Sequence, residues 1–395
     1  MIFGISHNTP HPYSSMVVKI ADNILSPLGA TSQANYMAVK QGFSKLCLHP
    51  AQRAVSSPFF ASLIDGDTLT IDNGYSKFER MCIQSAQAAL AQSDIDPSSD
   101  KVLFILSTTK GNIDLLRQTA SAATYPAVLD SNLLLGQSAK RICSYFGNSV
   151  TPLVVSNACI SGLCAQILAL RLLDSDDRYD YAVVIGADEQ SPFIISGFQC
   201  LRALSPEACK PFDSERCGLN LGEAAATIIY GRSSSTNAAL VWSLRSGAIR
   251  NDANHISGPS RTGEGSWLAL MHTLYNIDTT TIAFINAHGT ATLYNDEMES
   301  IAIERANLLS IPVNSLKGYY GHTMGAAGIL ETIISMQAID DHTILGTKNF
   351  SSLGVSKPIN VCAENKTTDK TAFVKLISGF GGCNAAAYFQ KGGTL

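Results

Sequence analysis

The residue best placed for chemistry in this sequence is Cys159, within VVSNACISGLCAQILALRLL at residues 154–173. A strand-like apolar run precedes it and a long apolar helix follows it. A thiolate is the reactive form of cysteine, and the free N–H groups at a helix N-terminus lower the pKa of a thiol placed there. The same N–H groups can bind a thioester oxyanion. The stretch predicts a nucleophile at Cys159, although a buried structural cysteine, the role expected of Cys164, also fits it.

Two histidines further along the chain lie in turns that suit catalysis. His288 follows a strand-like run in NAHGTATLYND, and His322 lies in the glycine-rich segment SLKGYYGHTMGAAGILE, five residues after Lys317. Polar side chains at the strand ends of an α/β sheet are where ligands usually bind. A buried Lys317 would need an acidic partner, for which Glu331 is the candidate, and Asp296 could support His288 in a similar way.

A third turn, SGFGGCNAA at residues 378–386, is rich in glycine. Its Phe380 could act as a mobile plug, and its backbone N–H groups, those of Phe380 and Gly381, could be aimed at an oxyanion. Taken alone, this motif predicts only a tight turn.

The elements that must position these side chains alternate along the whole chain. KVLFILST and TPLVVS are typical of strands buried in a sheet, and SKFERMCIQSAQAALAQS has helical periodicity. This alternation predicts α/β layers with helices on the faces of the sheet. Each half contains a strand, a small-residue turn with a reactive side chain and a buried helix, which suggests a duplication. We place the boundary in GRSSSTNA, giving halves at 16–238 and 239–395.

Composition excludes several classes of protein. With 395 residues, 46% of them hydrophobic, the chain can bury a large core. A net charge of −4 without a long basic run argues against nucleic-acid binding, and no apolar run reaches the roughly 20 residues of a membrane helix. Residues 1–15 lack the features of a secretory signal, so we expect a cytoplasmic protein in which they are a disordered leader or follow from a start upstream of a natural beginning at Met16. The ten cysteines include no C-x-x-C pair, which favours reduced thiols over a zinc site.

The motifs NACISG, NAHGTATLYND, SLKGYYGHTMGAAGILE and SGFGGCNAA, in this order, resemble those of the β-ketoacyl-acyl-carrier-protein synthases. These are condensing enzymes of the thiolase superfamily, and the resemblance is to the elongating type. VVKIADNILSPLG and RALSPEACKPFDSERCGLNLGEAAA resemble further family segments, so the likeness extends from about residue 16 to the end. The resemblance implies a thiolase-like duplicated αβαβα layered fold.

The resemblance also implies the first half of a mechanism. Cys159 would take an acyl group from an acyl carrier protein, and the backbone N–H groups of Cys159 and Phe380, next to Gly381, would form the oxyanion hole. Thr290 and Thr292 would line the phosphopantetheine tunnel, and Phe380 would gate the second substrate.

The second half of the implied mechanism belongs to the downstream motifs. His288 and His322, as neutral donors, would hold the malonyl thioester oxygen while carbon dioxide leaves. Lys317, tied to Glu331, would complete the catalytic set by organising His322, and Asp296 would support His288 from behind. No metal and no organic cofactor would be needed, because the phosphopantetheine arm is carried by the acyl carrier protein.

One loop departs from the family pattern in a way that bears on the substrate. STTKGNID, residues 107–114, stands where the fatty-acid enzymes have a glycine-rich loop that lines the acyl pocket. Thr109 and Lys110 are therefore predicted to contact the substrate. Because lysine is a poor wall for an alkyl chain, we expect a different acyl group, such as a polyunsaturated or aryl-capped chain.

The resemblance implies two kinds of partner: acyl- and malonyl-loaded acyl carrier protein, and a second ketosynthase subunit in a homodimer or heterodimer. Lys77 and Arg202 fall where the family places basic contacts to the carrier protein. Two alternatives remain open within the fold: a thiolase, and the chain-length partner subunit of a ketosynthase heterodimer. An unrelated cysteine hydrolase would leave the Lys317 turn unexplained.

Overall fold

The computed structural model describes residues 16–51, 55–72, 74–116, 131–233 and 241–392. The predicted leader 1–15 and the predicted boundary at 238 and 239 lie outside the described residues. The described strands are β1 (Met16–Leu25), β2 (Cys47–His49), β3 (Phe59–Ser62), β4 (Val102–Ser107), β5 (Leu153–Val155), β6 (Tyr181–Asp188), β7 (Leu221–Gly222), β8 (Ala224–Ser233), β9 (Trp242–Asn251), β10 (Ile282–Asn286), β11 (Pro312–Asn314), β12 (Thr343–Ile344), β13 (Asn360–Val361), β14 (Lys366–Thr367), β15 (Ala372–Gly379) and β16 (Cys383–Lys391).

The helices alternate with these strands, as the sequence predicts. The described helices are α1 (Ser32–Lys40), α2 (Lys77–Leu90), α3 (Leu135–Tyr145), α4 (Ser161–Ser175), α5 (Pro192–Cys200), α6 (Glu264–Thr273), α7 (Leu293–Arg305), α8 (Lys317–Tyr320) and α9 (Ala327–Asp340).

The main sheet shows that the fold is duplicated. Its N-terminal half has the order β1-β8-β6-β4-β5, and its C-terminal half has the order β9-β16-β15-β10-β11, followed by β13. When the five strands of each half are numbered in chain order, their order across the sheet is first, fifth, fourth, second and third in both halves. In both, the second strand is parallel to the third and fourth, while the fifth is antiparallel to the fourth and first. The halves meet where Val18 of β1 pairs with Ser243 of β9. The predicted duplication is therefore confirmed in the strand order.

Three of the hydrophobic clusters lie between the layers of the fold and hold them together. The central cluster joins α4 and α9 to strands of both halves, a second packs α2 and α3 on the outer face of the N-terminal strands, and a third packs α6 and α7 on the outer face of the C-terminal strands. Alternation along β15 illustrates this, since Phe373 and Ile377 face the centre while Val374 and Leu376 face outward. The layers are thus helix, sheet, helix, sheet and helix, the predicted αβαβα arrangement.

The two central helices begin in close contact. A Cβ atom on Gly328 of α9 would lie 2.4 Å from the backbone nitrogen of Leu163, and one on Gly162 of α4 would lie 2.8 Å from the carbonyl oxygen of Gly325. Only residues without a side chain allow this approach. It brings the turn before α4, with Cys159, next to the turn before α9, with His322.

Helix α4 also resembles a membrane span in composition. Residues 158–175 are apolar enough and, at 18 residues, long enough to cross a bilayer, but 61% of this window is buried within the fold. Its hydropathy is explained by its place in the central layer.

Candidate active site

Three side chains singled out from the sequence meet at the centre of the molecule. Cys159 follows β5, His288 follows β10 and His322 follows β11. The thiol sulfur and one ring nitrogen of each histidine all lie within 4.8 Å of one another, and all three residues are buried. The convergence on Cys159 that the sequence predicts is therefore present in the structure.

These side chains line one cavity of about 430 Å³. Thr290 and Thr292 also line it, as expected for a tunnel wall, and their hydroxyl oxygens lie 2.9 Å apart. Phe380 lines the cavity as well, with its ring stacked on Phe198 at 5.8 Å between centroids. With 37% of its surface exposed, Phe380 lies between the cavity and solvent, which suits the predicted gate.

The turn that carries the nucleophile is held by backbone geometry. Ala158 has φ of 46°, an uncommon conformation for a residue with a side chain. The hydroxyl of Ser161 accepts from the N–H of Asn157 at 2.7 Å and donates to the carbonyl of Ala158 at 2.6 Å. A Cβ atom on Gly379 would lie 3.1 Å from the nitrogen of Cys159, so a glycine lets this turn approach β15 closely. The thiol is thereby fixed just before α4.

The protonation of this thiol differs from the sequence-based prediction. Burial is the main influence on Cys159 and raises its pKa to about 12, and the neighbouring Cys383 raises it further. Lys317 and the N–H of Phe380 act in the opposite direction without reversing the shift. The lowering expected at a helix N-terminus is therefore not found, because removal of the thiolate from water is the largest influence on this pKa. The resting thiol is protonated.

The two N–H groups that the sequence analysis selects in the glycine turn after β15 have different partners. The backbone N–H of Phe380 bonds to the sulfur of Cys159, so it lies beside the atom that would carry the acyl group. The N–H of Gly381 instead donates to the carbonyl of Ile256 at 2.7 Å, and Gly381 does not line the cavity. Gly381 therefore shapes the turn, with φ of 85°, and is not an oxyanion donor.

The two imidazoles are suited to donate hydrogen bonds in their neutral form. Their ring centroids lie 5.0 Å apart at an interplanar angle of 79°. The N–H of Met324 donates to Nδ1 of His322 at 3.3 Å, which places the proton of the neutral ring on Nε2. Within the described residues that Nε2 has no partner. Burial, aided by the charge of Lys317, holds the pKa of both histidines well below the ordinary value.

Behind the histidines lies an ion triad of two lysines and a glutamate. Lys317 pairs with Oε1 of Glu331, as predicted, and Lys375 pairs with Oε2 at 2.6 Å. Burial would raise the pKa of Glu331, but the two ammonium groups outweigh it and the pKa lies below its ordinary value. Lys317 does not line the cavity, so it acts on His322 through charge.

Lys375 is a residue that the sequence analysis missed. It is fully buried in β15 and also donates to the carbonyls of Asn286 and Ala287, each at 3.3 Å. The signal was available: AFVKLIS places one lysine inside an otherwise apolar run, and a buried lysine requires a partner.

Two carboxylates on α7 hold the His288 turn. Asp296, predicted as a supporting residue, accepts from the N–H of Ala291 at 3.1 Å and the N–H of Phe212 at 2.7 Å. Glu299, which was not predicted, accepts from the N–H groups of His288 and Gly289, each at 2.7 Å. Burial raises the pKa of Glu299 to about 7 and that of Asp296 to about 6. Both act on the backbone of the turn.

Contrary to the prediction, neither Thr109 nor Lys110 lines the cavity. Both residues contact Asp188, the last residue of β6. The lysine nitrogen lies 3.1 Å from this carboxylate, which also accepts from the N–H of Gly325 at 2.8 Å. The polar groups of this loop therefore bond to Asp188, which explains how a lysine is accommodated in a buried loop.

The two predicted carrier-protein contacts lie in different settings. Arg202 is exposed and lines the entrance of the cavity. Lys77 does not line it, and its ammonium pairs with the buried Glu223 at 2.7 Å. The position of Arg202 suits a contact with an incoming carrier, whereas the charge of Lys77 is used within the fold.

A thiol and two imidazoles are also ligand types for zinc. Here, however, the ammonium groups of Lys317 and Lys375 are close enough to lower the pKa of His288. The same positive field disfavours a dication, so the donor set suits the binding of negative charge.

Comparisons with known proteins identify the family of the chain. Residues 66–235 match the family model of the β-ketoacyl synthase N-terminal domain, and residues 243–351 match that of the C-terminal domain. A putative mitochondrial 3-oxoacyl-[acyl-carrier-protein] synthase of Schizosaccharomyces pombe is 26% identical over 80% of this chain and 81% of its own length. The 3-oxoacyl-[acyl-carrier-protein] synthase 2 of Coxiella burnetii is 32% identical over 60% of this chain and 61% of its own.

A similar solved structure is that of a ketosynthase in complex with its chain length factor, from Xenorhabdus doucetiae. The match has a TM-score of 0.82 at 25% identity and covers 97% of this chain and 100% of the other. The two domain models together cover well over half of the sequence. The chain therefore belongs to the β-ketoacyl synthase family, condensing acyltransferases of the thiolase superfamily.

Proposed function

We propose that this protein catalyses the decarboxylative Claisen condensation of an acyl-enzyme with malonyl-acyl carrier protein, giving a β-ketoacyl-acyl carrier protein in fatty-acid or polyketide biosynthesis. The observation that carries the proposal is the meeting of a buried thiol with two neutral, buried imidazoles in one cavity. A thiol can hold an acyl group covalently, and neutral donors can stabilise an enolate. Names of curated relatives, such as 3-oxoacyl-[acyl-carrier-protein] synthase, support the same reaction.

In the first half-reaction the sulfur of Cys159 attacks the carbonyl carbon of the acyl-pantetheine thioester. A new C–S bond forms to the enzyme, the bond to pantetheine breaks, and the proton of the Cys159 thiol ends on the departing pantetheine thiol. The backbone N–H groups of Cys159 and Phe380 would receive the negative oxygen of the tetrahedral intermediate. Since the resting thiol is protonated, the proton moves as the bond forms.

In the second half-reaction malonyl-acyl carrier protein enters. The bond between its α-carbon and its carboxylate breaks, carbon dioxide leaves, and the electron pair becomes an enolate. Its oxygen accepts from His288 and His322, while its carbon attacks the acyl group. Cys159 leaves as a thiolate and takes a proton from solvent. Two neutral rings suit this step, because an imidazolium could protonate the carbanion.

The phosphopantetheine arm would arrive on the carrier protein, and we propose that the chain requires neither a metal nor an organic cofactor. The positive charge that the enolate needs is present in Lys317 and Lys375. Arg202 at the entrance offers a contact for an acidic carrier protein. A cytoplasmic location fits the ten cysteines, all of which are free thiols in the structure.

We further propose a two-subunit assembly through β5. Within the described residues, this strand is the last of the eleven in the main sheet, and its three side chains are half-buried. An unpaired edge of this kind can pair with a second subunit. The Xenorhabdus structure is a complex of two subunits, which favours a related ketosynthase subunit or a second copy of this chain as the partner. Light scattering on the purified chain, alone and with a related subunit, should show a dimer in at least one case; monomers in both would contradict the proposal.

Intact mass spectrometry tests the function directly. The wild-type chain, offered a panel of acyl carrier proteins, should gain the mass of one acyl group, and Cys159→Ala should gain none. Cys164→Ala is the matched control, because this second buried thiol does not line the cavity and should not affect acylation. Acylation of Cys159→Ala, or failure of the acylated wild type to consume malonyl-acyl carrier protein, would contradict the proposal. Condensation of two acetyl-CoA molecules would indicate a thiolase.

A further inference from the structure

The fully buried ammonium of Lys375 makes four polar contacts in the centre of the molecule. Its nitrogen lies 2.6 Å from Oε2 of Glu331 and 3.1 Å from the carbonyl of its neighbour Leu376. It lies 3.3 Å from the carbonyls of Asn286 and Ala287. Since Ala287 immediately precedes His288, one cation joins the base of the His288 turn to helix α9.

The direction of this side chain follows from the strand. Lys375 lies midway between Phe373 and Ile377 at two-residue spacing, so it shares the face of β15 that points to the central layer. It pairs in register with Asn286 of β10. Glu331 lies in the first part of α9, nine residues after His322. Lys375 therefore connects the element that ends in His288 with the element that follows His322. It does not line the cavity, so it cannot touch the substrate.

We propose that Lys375 is a positioning residue for malonyl decarboxylation, which fixes the His288 turn against α9 and supplies part of the positive field on both imidazoles. The proposal rests on the condensing function proposed above. The charged groups that face Lys375 are Glu331 on α9, Lys317 on α8 and Glu299 on α7, together with His288.

Charge arithmetic gives the direction of the effect. Lys375 is one of the cations that lower the pKa of His288 and His322, and it also lowers the pKa of Glu299. Replacing it with methionine would raise the pKa of all three groups. The imidazoles and the carboxylate would then take up protons at higher pH, so activity would be lost sooner as the pH falls. Acylation of Cys159 depends on none of these groups as a donor.

The test compares two half-reactions in Lys375→Met, Lys375→Arg and a matched control. Lys370→Met is the control, because Lys370 donates to the carbonyl of Ile282 at the other end of β10, at 3.0 Å. Malonyl-acyl carrier protein decarboxylation and Cys159 acylation are measured from pH 5.5 to 8.5, with the thermal midpoint of each variant. Lys375→Met should lower decarboxylation roughly 10- to 100-fold, as expected for a group that orients a reactive side chain from behind.

In Lys375→Met we also expect the acid limb of the decarboxylation profile to move to higher pH while acylation stays close to wild type. Lys375→Arg, which keeps the charge, should retain the wild-type acid limb even if its rate falls. An unchanged rate and acid limb in Lys375→Met, an equal loss of acylation, or the same effect in Lys370→Met would overturn the inference. If the wild type itself failed to decarboxylate malonyl-acyl carrier protein, the proposed function would fail and the inference with it.

Discussion

The two halves of the fold share one strand order but use their turns differently. In the N-terminal half, Lys110 of the turn after β4 pairs with Asp188 at the end of β6. This half lines the cavity through Cys159 of the turn after β5, together with Phe198 and Arg202 of the segment after β6. In the C-terminal half, the turns after β10, β11 and β15 all line it, through His288, His322 and Phe380. The two halves of the duplicated fold thus contribute different chemical groups to one site.

The difference extends to what holds each turn in place. The Cys159 turn is held by neutral hydrogen bonds of Ser161 and by close backbone packing. The histidine turns are held by buried charges, with Glu299 behind His288 and Glu331 behind the Lys317 segment. A thiol that must change between free and acylated forms is served by a neutral setting, whereas donors to an enolate gain from fixed positive charge nearby.

The largest difference between the halves should appear in His322→Ala. Loss of a neutral donor should lower malonyl decarboxylation roughly 100- to 1,000-fold, the scale of a lost oxyanion donor, while Cys159 still becomes acylated. His255→Ala is the control, because this exposed histidine lies at the entrance of the same cavity. Release of carbon dioxide and intact mass report the two steps separately. Condensation at the wild-type rate would remove the role assigned to His322.

The neutral setting of Cys159 predicts an unusual pH dependence of alkylation. With a pKa of about 12, the thiolate fraction rises about tenfold for each pH unit throughout the range from 7 to 9.5. An exposed thiol of ordinary pKa would instead level off near pH 9. Iodoacetamide labelling, followed on the Cys159 peptide by mass spectrometry, distinguishes the two. A plateau by pH 9 would show that the helix N-terminus dominates over burial, and the contrast between the halves would weaken.

The sequence is informative where the residue types and their neighbours themselves indicate the chemistry. Cys159, His288 and His322 lie in small-residue turns at strand ends, and the need of Lys317 for an acid pointed to Glu331. The sequence was less informative where a role depends on distant contacts. Glu299 acts on backbone N–H groups, which leave no trace in the side-chain pattern.

The errors share one physical cause. The sequence predicts a substrate wall at Lys110, because its partner Asp188 lies far along the chain and joins it only after folding. The local helix predicts a lowered pKa for Cys159, but burial is set by β15 and the C-terminal half, which pack over it. Local rules cannot supply desolvation, because it depends on the complete tertiary structure.

A smaller effect is expected from Glu299→Gln. Both carboxylate oxygens accept backbone N–H groups, at 2.7 Å each, and an amide can offer only one oxygen. The His288 turn should loosen, with roughly a tenfold fall in decarboxylation, at the lower end of losses for groups that orient a reactive side chain, and little change in acylation. Glu304→Gln, on the same helix but paired with Lys357 at the surface, is the control. Equal effects of the two variants would show that the carboxylate does not position His288.

The smallest catalytic effect, and the sharpest test of the contrast between the halves, belongs to Lys110→Met. The lysine pairs with Asp188, whose carboxylate retains hydrogen bonds from Thr108, Thr109 and Gly325. We expect a loss of about 1–3 kcal/mol in the free energy of unfolding, the cost of leaving a buried charge less well paired. Acyl preference across the carrier-protein panel should not change, because Lys110 does not line the cavity. Lys101→Met, at an exposed position immediately before β4, controls for loss of charge. A shift towards longer saturated chains in Lys110→Met alone would return this loop to the acyl pocket and make both halves contribute to substrate selection.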